Sequence, residues 1–135
     1  MMMASAEGAM AFQKGLGAVH SMSHALGANQ ELRLHHGTLN AVLLPTVLRF
    51  NQDYVGTKYS RIARAMGQNE SIDLANEIEK LNEKIGIPRN LKEMGITEDL
   101  IPNLVAHAKE DPSNLTTPRL PSQKEWEELF LEALE

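Results

Sequence analysis

GLGAVHSMSHALGA, residues 15–28, is the stretch on which the fold turns. Read at 3.6 residues per turn, it puts Leu16, Val19, Met22 and Leu26 on a helix whose remaining positions are small: Gly15, Gly17, Ala18, Ser21, Ser23 and Ala25. Small side chains let neighbouring backbones approach, and no formal charge lies between Lys14 and Glu31, so this part of the chain belongs in an interior. Upstream, Ala4, Ala6, Ala9, Met10 and Phe12 extend the apolar character to nearly every side of the wheel, which predicts one continuous helix over Met2–Leu26. Gly27 and Asn29 are stop signals, and the polar residues to His35 form a connection.

A second apolar run, Leu39–Phe50, follows, and Pro45 within it is expected to bend or interrupt the helix. Shorter helices come next, each with its own punctuation. Thr57 is a candidate cap for a helix whose inner face is Tyr59, Ile62, Ala63 and Met66, ended by Gly67. Leu74, Ile78, Leu81 and Ile85 recur at i, i+4, i+7 and i+11, an amphipathic helix closed by Gly86 and Pro88. Thr97 or Asp99 starts a further helix that buries Leu100, Ile101, Leu104, Val105 and Ala108, with Pro102 tolerable only in its first turn. Ser122 and Glu125 form a capping box ahead of Trp126, Leu129, Phe130 and Leu134. No alternating strand pattern and no internal repeat is present, so the fold class is all-α: one helical, bundle-like domain over residues 1–135.

Composition bounds the function. At 135 residues with 42% apolar and 23% charged residues, the chain is an ordinary globular length and mixture. Thirteen Lys and Arg against eighteen Asp and Glu give a net charge of -5, the wrong sign for neutralising nucleic-acid phosphates, so nucleic acid is set aside as a partner. Absence of cysteine removes disulfides and thiolate metal sites, leaving His and carboxylate as strong ligands and suiting a reducing, cytoplasmic setting. Met1–Ala28 lacks a basic n-region and contains Glu7, Gln13 and Lys14, so it is read neither as an export signal nor, with its Gly, Ser and His content, as a membrane span.

The chemical signal is histidine. Four of the five histidines fall between positions 20 and 36. His20 and His24 are i and i+4 and share a helical face about 6 Å apart along the axis. His36 opens the next apolar run, where a tight reversal brings it back towards His20. Spacing alone leaves two readings open, hydrogen-bonded core histidines or three imidazoles converging on a divalent ion. His35 is read as a solvent-facing or supporting neighbour, His107 as structural, and the acidic tail as the solvated face of the last helix.

GLGAVHSMSHALGA together with HHGTLNAVLLPTVLRFN (35–51), PRNLKEMGITEDLIPNLVAHAKED and the TPR ending at Arg119 resembles the C-terminal helical domain of the iron-dependent (type III) alcohol dehydrogenases, within the dehydroquinate synthase-like superfamily. The resemblance implies a two-part enzyme: an α/β half that binds NAD or NADP, and an all-helical half that holds the metal. It implies His20 and His36 as metal ligands, and His24 beside the nicotinamide and the substrate, in catalytic and cofactor-contacting roles. It implies Fe2+, or Zn2+, as the metal, and a small alcohol or aldehyde as the substrate.

The family's other two ligands form a DxxxH pair, and none of Asp53, Asp73, Asp99 or Asp111 is followed four residues later by His. The glycine-rich nucleotide loop is also missing, so the nucleotide-binding half is expected to be absent and the isolated chain inactive. Two alternatives stand beside this reading: a free-standing helical binding or assembly module without catalysis, and a Zn-dependent glycerol dehydrogenase-like or dehydroquinate synthase-like fragment, although the HHGTLNAVLLP wording favours the iron-dependent branch. The apolar flank of Met1–Lys14 predicts a homo-oligomer joined through that segment.

Overall fold

The longest helix holds a proline and runs through it. In the computed structural model, which describes residues 1–29 and 32–135, every regular element is helical. The α-helices are α1 (Met2–Ala11), α2 (Ala18–Gly27), α3 (His36–Asn51), α4 (Lys58–Ala65), α5 (Leu74–Lys84), α6 (Ile101–Glu110) and α7 (Gln123–Leu134), with short 3₁₀ turns between several of them. Helix α2 packs on α3 and α6, α3 also meets α5 and α7, and α6 lies on α7. Met22 and Leu26 of α2, Leu39 and Leu43 of α3, Val105 of α6, and Trp126 and Phe130 of α7 are fully buried in the common core. The predicted connection before α3 includes Gln30 and Glu31, which lie outside the described residues.

Pro45 does not interrupt α3 as the sequence suggested. Proline has no N–H for the carbonyl one turn earlier, which belongs to Ala41. The Asn82 side-chain amide of α5 donates to that Ala41 oxygen at 2.8 Å. The orphaned acceptor is thereby satisfied from a neighbouring helix, and the proline becomes a docking point for α5.

The predicted helix Met2–Leu26 is two helices. Gly15 takes φ +101°, a region side chains rarely adopt, and a Cβ there would overlap the Thr116 side chain. Thr116 Oγ1 donates to the carbonyl of Leu16 at 3.0 Å, fixing the break from outside. None of the residues of α1 is buried, whereas Ala18, Ser21, Met22, Ser23, Ala25 and Leu26 of α2 all are. All-round apolarity therefore signalled burial correctly for the second half and incorrectly for the first.

Other expectations divide in the same way. The capping box of α7 forms, with the Ser122 hydroxyl accepting from the Glu125 N–H and the Glu125 carboxylate accepting from the Ser122 N–H. Pro102 sits in the first turn of α6, where its missing N–H costs nothing. Gly67 and Gly86 end α4 and α5 with positive φ. Neither Thr57 nor Thr97 caps with its side chain, and the cap the sequence reading passed over is Asp73, which accepts from Asn76 N–H ahead of α5. Ile62, Met66, Leu81 and Ile85, assigned to inner faces, are exposed. Helices α4 and α5 are held instead by Ala63, Leu74 and Ala75, and by the Tyr59 hydroxyl donating to Leu48 O at 3.1 Å. Burial pushes that phenol up to about 12.

Asn82→Ala should lower the urea-unfolding free energy by about 1–2 kcal/mol, the cost of a stranded acceptor. In a Pro45→Ala background, where an N–H returns to face Ala41 O, the same substitution should cost less; equal costs in both backgrounds would separate Asn82 from Pro45.

Candidate functional site

A buried polar clamp sets the rotation of α2. The Ser21 hydroxyl donates to Asn114 Oδ1 at 2.6 Å, and the Asn114 amide donates to Ala108 O at 2.6 Å and Lys109 O at 3.2 Å, closing the C-terminal end of α6. With Ser21 turned towards α6, His20 and His24 fall on the face that meets α3. Ser23 supports the arrangement by donating to His20 O at 3.1 Å and lying 3.5 Å from His36 Nδ1.

The three histidines come together. The His20 and His36 rings are 5.4 Å apart, His24 and His36 stack at 5.3 Å with 17° between planes, and His20 and His24 are 5.8 Å apart. Their nitrogens do not all share one point. Asn40, one turn beyond His36 on α3, presents its side-chain nitrogen 3.0 Å from His36 Nε2 and 3.4 Å from His20 Nε2. His24 Nδ1 is instead paired with Asp111 Oδ2 at 2.9 Å. Among the described residues, no group of three or more His, Asp or Glu side chains is placed to hold a metal ion. The three-imidazole convergence that spacing allowed is therefore not formed, because Asp111 draws the third ring aside. His20 and His36 remain as a pair whose Nε2 atoms aim at one donor.

Electrostatics disfavour the charged form of both rings. Burial holds His20 below its ordinary value, with His36 and His24 adding to the effect and Asp111 opposing it. Burial also lowers His36, helped by His24 and His35. Burial works to raise the Asp111 carboxyl, but hydrogen bonds from the Ser113 side chain and backbone, and then from His24, outweigh it and leave it lowered. Neutral imidazole nitrogens with free lone pairs are what a divalent ion requires of this donor set. His35 caps α3, its Nδ1 accepting from Thr38 N–H, and His107 is exposed on α6.

Beside His20 a cavity of about 480 Å³ runs along the α3 face formed by Asn40, Ala41, Leu44, Val47, Leu48 and Asn51. Its walls are largely apolar and include no Lys or Arg. Three buried polar atoms on its lining, Asn40 Oδ1, Asn51 Oδ1 and Thr117 Oγ1, lack a protein partner. Phe12 stands edge-on to His20 at 5.7 Å and contributes to the same wall.

The C-terminal profile of the Fe-containing alcohol dehydrogenase family matches residues 1–134. The chain belongs to that family. Its relatives include the 4-hydroxybutyrate dehydrogenase of Cupriavidus necator, 41% identical over 99% of this chain and 37% of that protein. The lactaldehyde reductase of Escherichia coli (strain K12) is 38% identical over 86% of this chain and 32% of its own length. The fold matches a crystal structure of 1,3-propanediol oxidoreductase with a TM-score of 0.81 and 33% identity, over 88% of this chain and 33% of that one. The chain thus spans about a third of the length of these relatives. No helix among the described residues is long and apolar enough to cross a membrane.

Asp111, Asn114 and Thr116, which place the α2 histidines, were missed by sequence reading. The usable signal was Asp111-Pro-Ser, an Asx cap followed by proline, directly after the last turn of α6.

Because folding lowers the His20 and His36 values, the unfolded chain binds more protons as the pH falls below the ordinary histidine value near 6.5. Their contribution to stability is present above that pH and is lost as pH falls through the folded values. Imidazole NMR titrations should show both rings titrating below a histidine model peptide; titration of either at or above the peptide value would contradict the neutral pair.

Proposed function

We propose that this chain supplies the metal-holding, substrate-facing part of an iron-dependent NAD(P) alcohol dehydrogenase, a cytoplasmic oxidoreductase interconverting small alcohols and aldehydes. The observation that carries this reading is the convergence of His20 Nε2 and His36 Nε2 on one N–H donor, the Asn40 amide. A donor hydrogen there stands where a cation would be drawn, and burial disfavours the protonated form of both rings, in the sense that ligation requires. Fe2+ or Zn2+ held by these residues would supply Lewis-acid polarisation of an alcohol or carbonyl oxygen.

The protein's own groups do the rest. His20 and His36 would hold the ion from two helices packed together through the core. His24 stacks on His36 with its ring partly open to solvent, where it would meet substrate and the nicotinamide of NAD or NADP. The cavity beside His20 is walled largely by apolar side chains, which suits the carbon chain of a small alcohol or aldehyde. Two protein ligands leave an ion half-enclosed, so the 135 residues by themselves bind it reversibly and do not turn over alcohol. Met2, Met3, Met10 and Phe12 expose an apolar flank on the α1 side, and a second copy of the chain is the occupant proposed for it.

Zn2+ titration by calorimetry should give one weak site, weakened more than about tenfold by His20→Ala or His36→Ala; wild-type affinity in both variants would remove them as ligands. Sedimentation should show association at tens of micromolar, on the order of the range where a few kcal/mol of burial tells, with Met10→Glu, Phe12→Glu shifting it to monomer. A folded double variant that associates equally would place the contact elsewhere.

A further inference from the structure

We propose that Asp111 is a positioning residue that fixes His24 in its Nδ1–H tautomer, so that Nε2 faces the site as a bare hydrogen-bond acceptor. The inference rests on the reading of His24 as the substrate-facing ring and adds a residue and an atom to it.

The geometry is specific. His24 Nδ1 lies 2.9 Å from Asp111 Oδ2, and the side chain of Asp111 is only 16% exposed while that of His24 is 41% exposed. An ionised carboxylate can only accept, so the nitrogen facing it must carry the proton. A neutral imidazole has one N–H, and placing it at Nδ1 leaves the lone pair at Nε2. Free histidine in water prefers the opposite tautomer, so the arrangement has to be imposed.

Asp111 is held for the task. It follows the last residue of α6, its other oxygen accepts from Ser113 N–H at 2.8 Å, and Asn114 three residues on is clamped to Ser21 of α2. Carboxylate and imidazole are therefore carried by two elements joined through one buried bond, and their separation does not depend on a flexible loop end. An alcohol hydroxyl bound beside the ring would donate its hydrogen bond to His24 Nε2, with Asp111 holding the ring from its other nitrogen at 2.9 Å.

The test is a long-range ¹H–¹⁵N correlation spectrum of the full chain, which distinguishes the two neutral tautomers from each other and from the imidazolium. The wild type should show His24 protonated at Nδ1 and bare at Nε2. Asp111→Ser retains a cap for the following turn but cannot reach His24, and it should shift the tautomer ratio about tenfold or more towards Nε2–H, the effect of losing a charge-assisted bond. Asp111→Asn, nearly isosteric and uncharged, should move it in the same direction. A wild-type His24 that is mainly Nε2–H overturns the proposal without any variant, and so does an Nδ1–H form that persists in both substitutions. Adding Zn2+ separates this inference from the ligand assignment: if the His20 and His36 nitrogens do not respond while His24 stays Nδ1–H, the ligand reading falls and the Asp111 pairing stands.

Discussion

The bond between Ser21 and Asn114 is the constraint on which the site depends. It is buried, short, and continuous with the cap that Asn114 places on the carbonyls ending α6. An unpaired hydroxyl or amide at that depth would be costly, so α2 has one favoured rotation against α6. That rotation decides everything the histidines do. Turning α2 by one residue's worth, about 100°, would carry His20 and His24 away from α3 and take from Asp111 its His24 partner.

The resulting site is asymmetric. His20 and His36 are turned towards one amide hydrogen, and His24, although stacked on His36, is claimed by a carboxylate from a different helix end. Proximity of rings and convergence of lone pairs are separate properties, and only the pair His20 and His36 has both. A chain that spans about a third of its relatives' length thus carries two imidazoles facing one amide and a third paired with a carboxylate.

How much of this could be read beforehand follows from the range of each interaction. The α7 capping box, the place of Pro102 and the burial of α2 are local or periodic, and the residues announce them within one or two turns. The approach of His36 to His20 was legible too, because sixteen residues with clear stop and start signals leave little freedom for the reversal. Asn82 and Asp111 were not legible, since their partners lie 41 and 87 positions away and neither residue type is rare on a surface. The break at Gly15 failed for the same reason: Leu16 is restrained by Thr116, 100 residues later, and composition alone cannot distinguish an apolar helix in a core from one outside it.

The amide of Asn82 on the Ala41 carbonyl has a consequence for how the domain comes apart. Helices α4 and α5 contribute few fully buried side chains, and their attachment to α3 relies on directional bonds and on Arg49 reaching Asn76 and Glu79 at the surface. Directional bonds hold position well while intact but give little once water competes for them, unlike the graded grip of apolar packing. That difference in bonding points to residues 57–86 as the part expected to open and exchange its amide hydrogens first, ahead of the α2, α3, α6 and α7 core that carries the histidines.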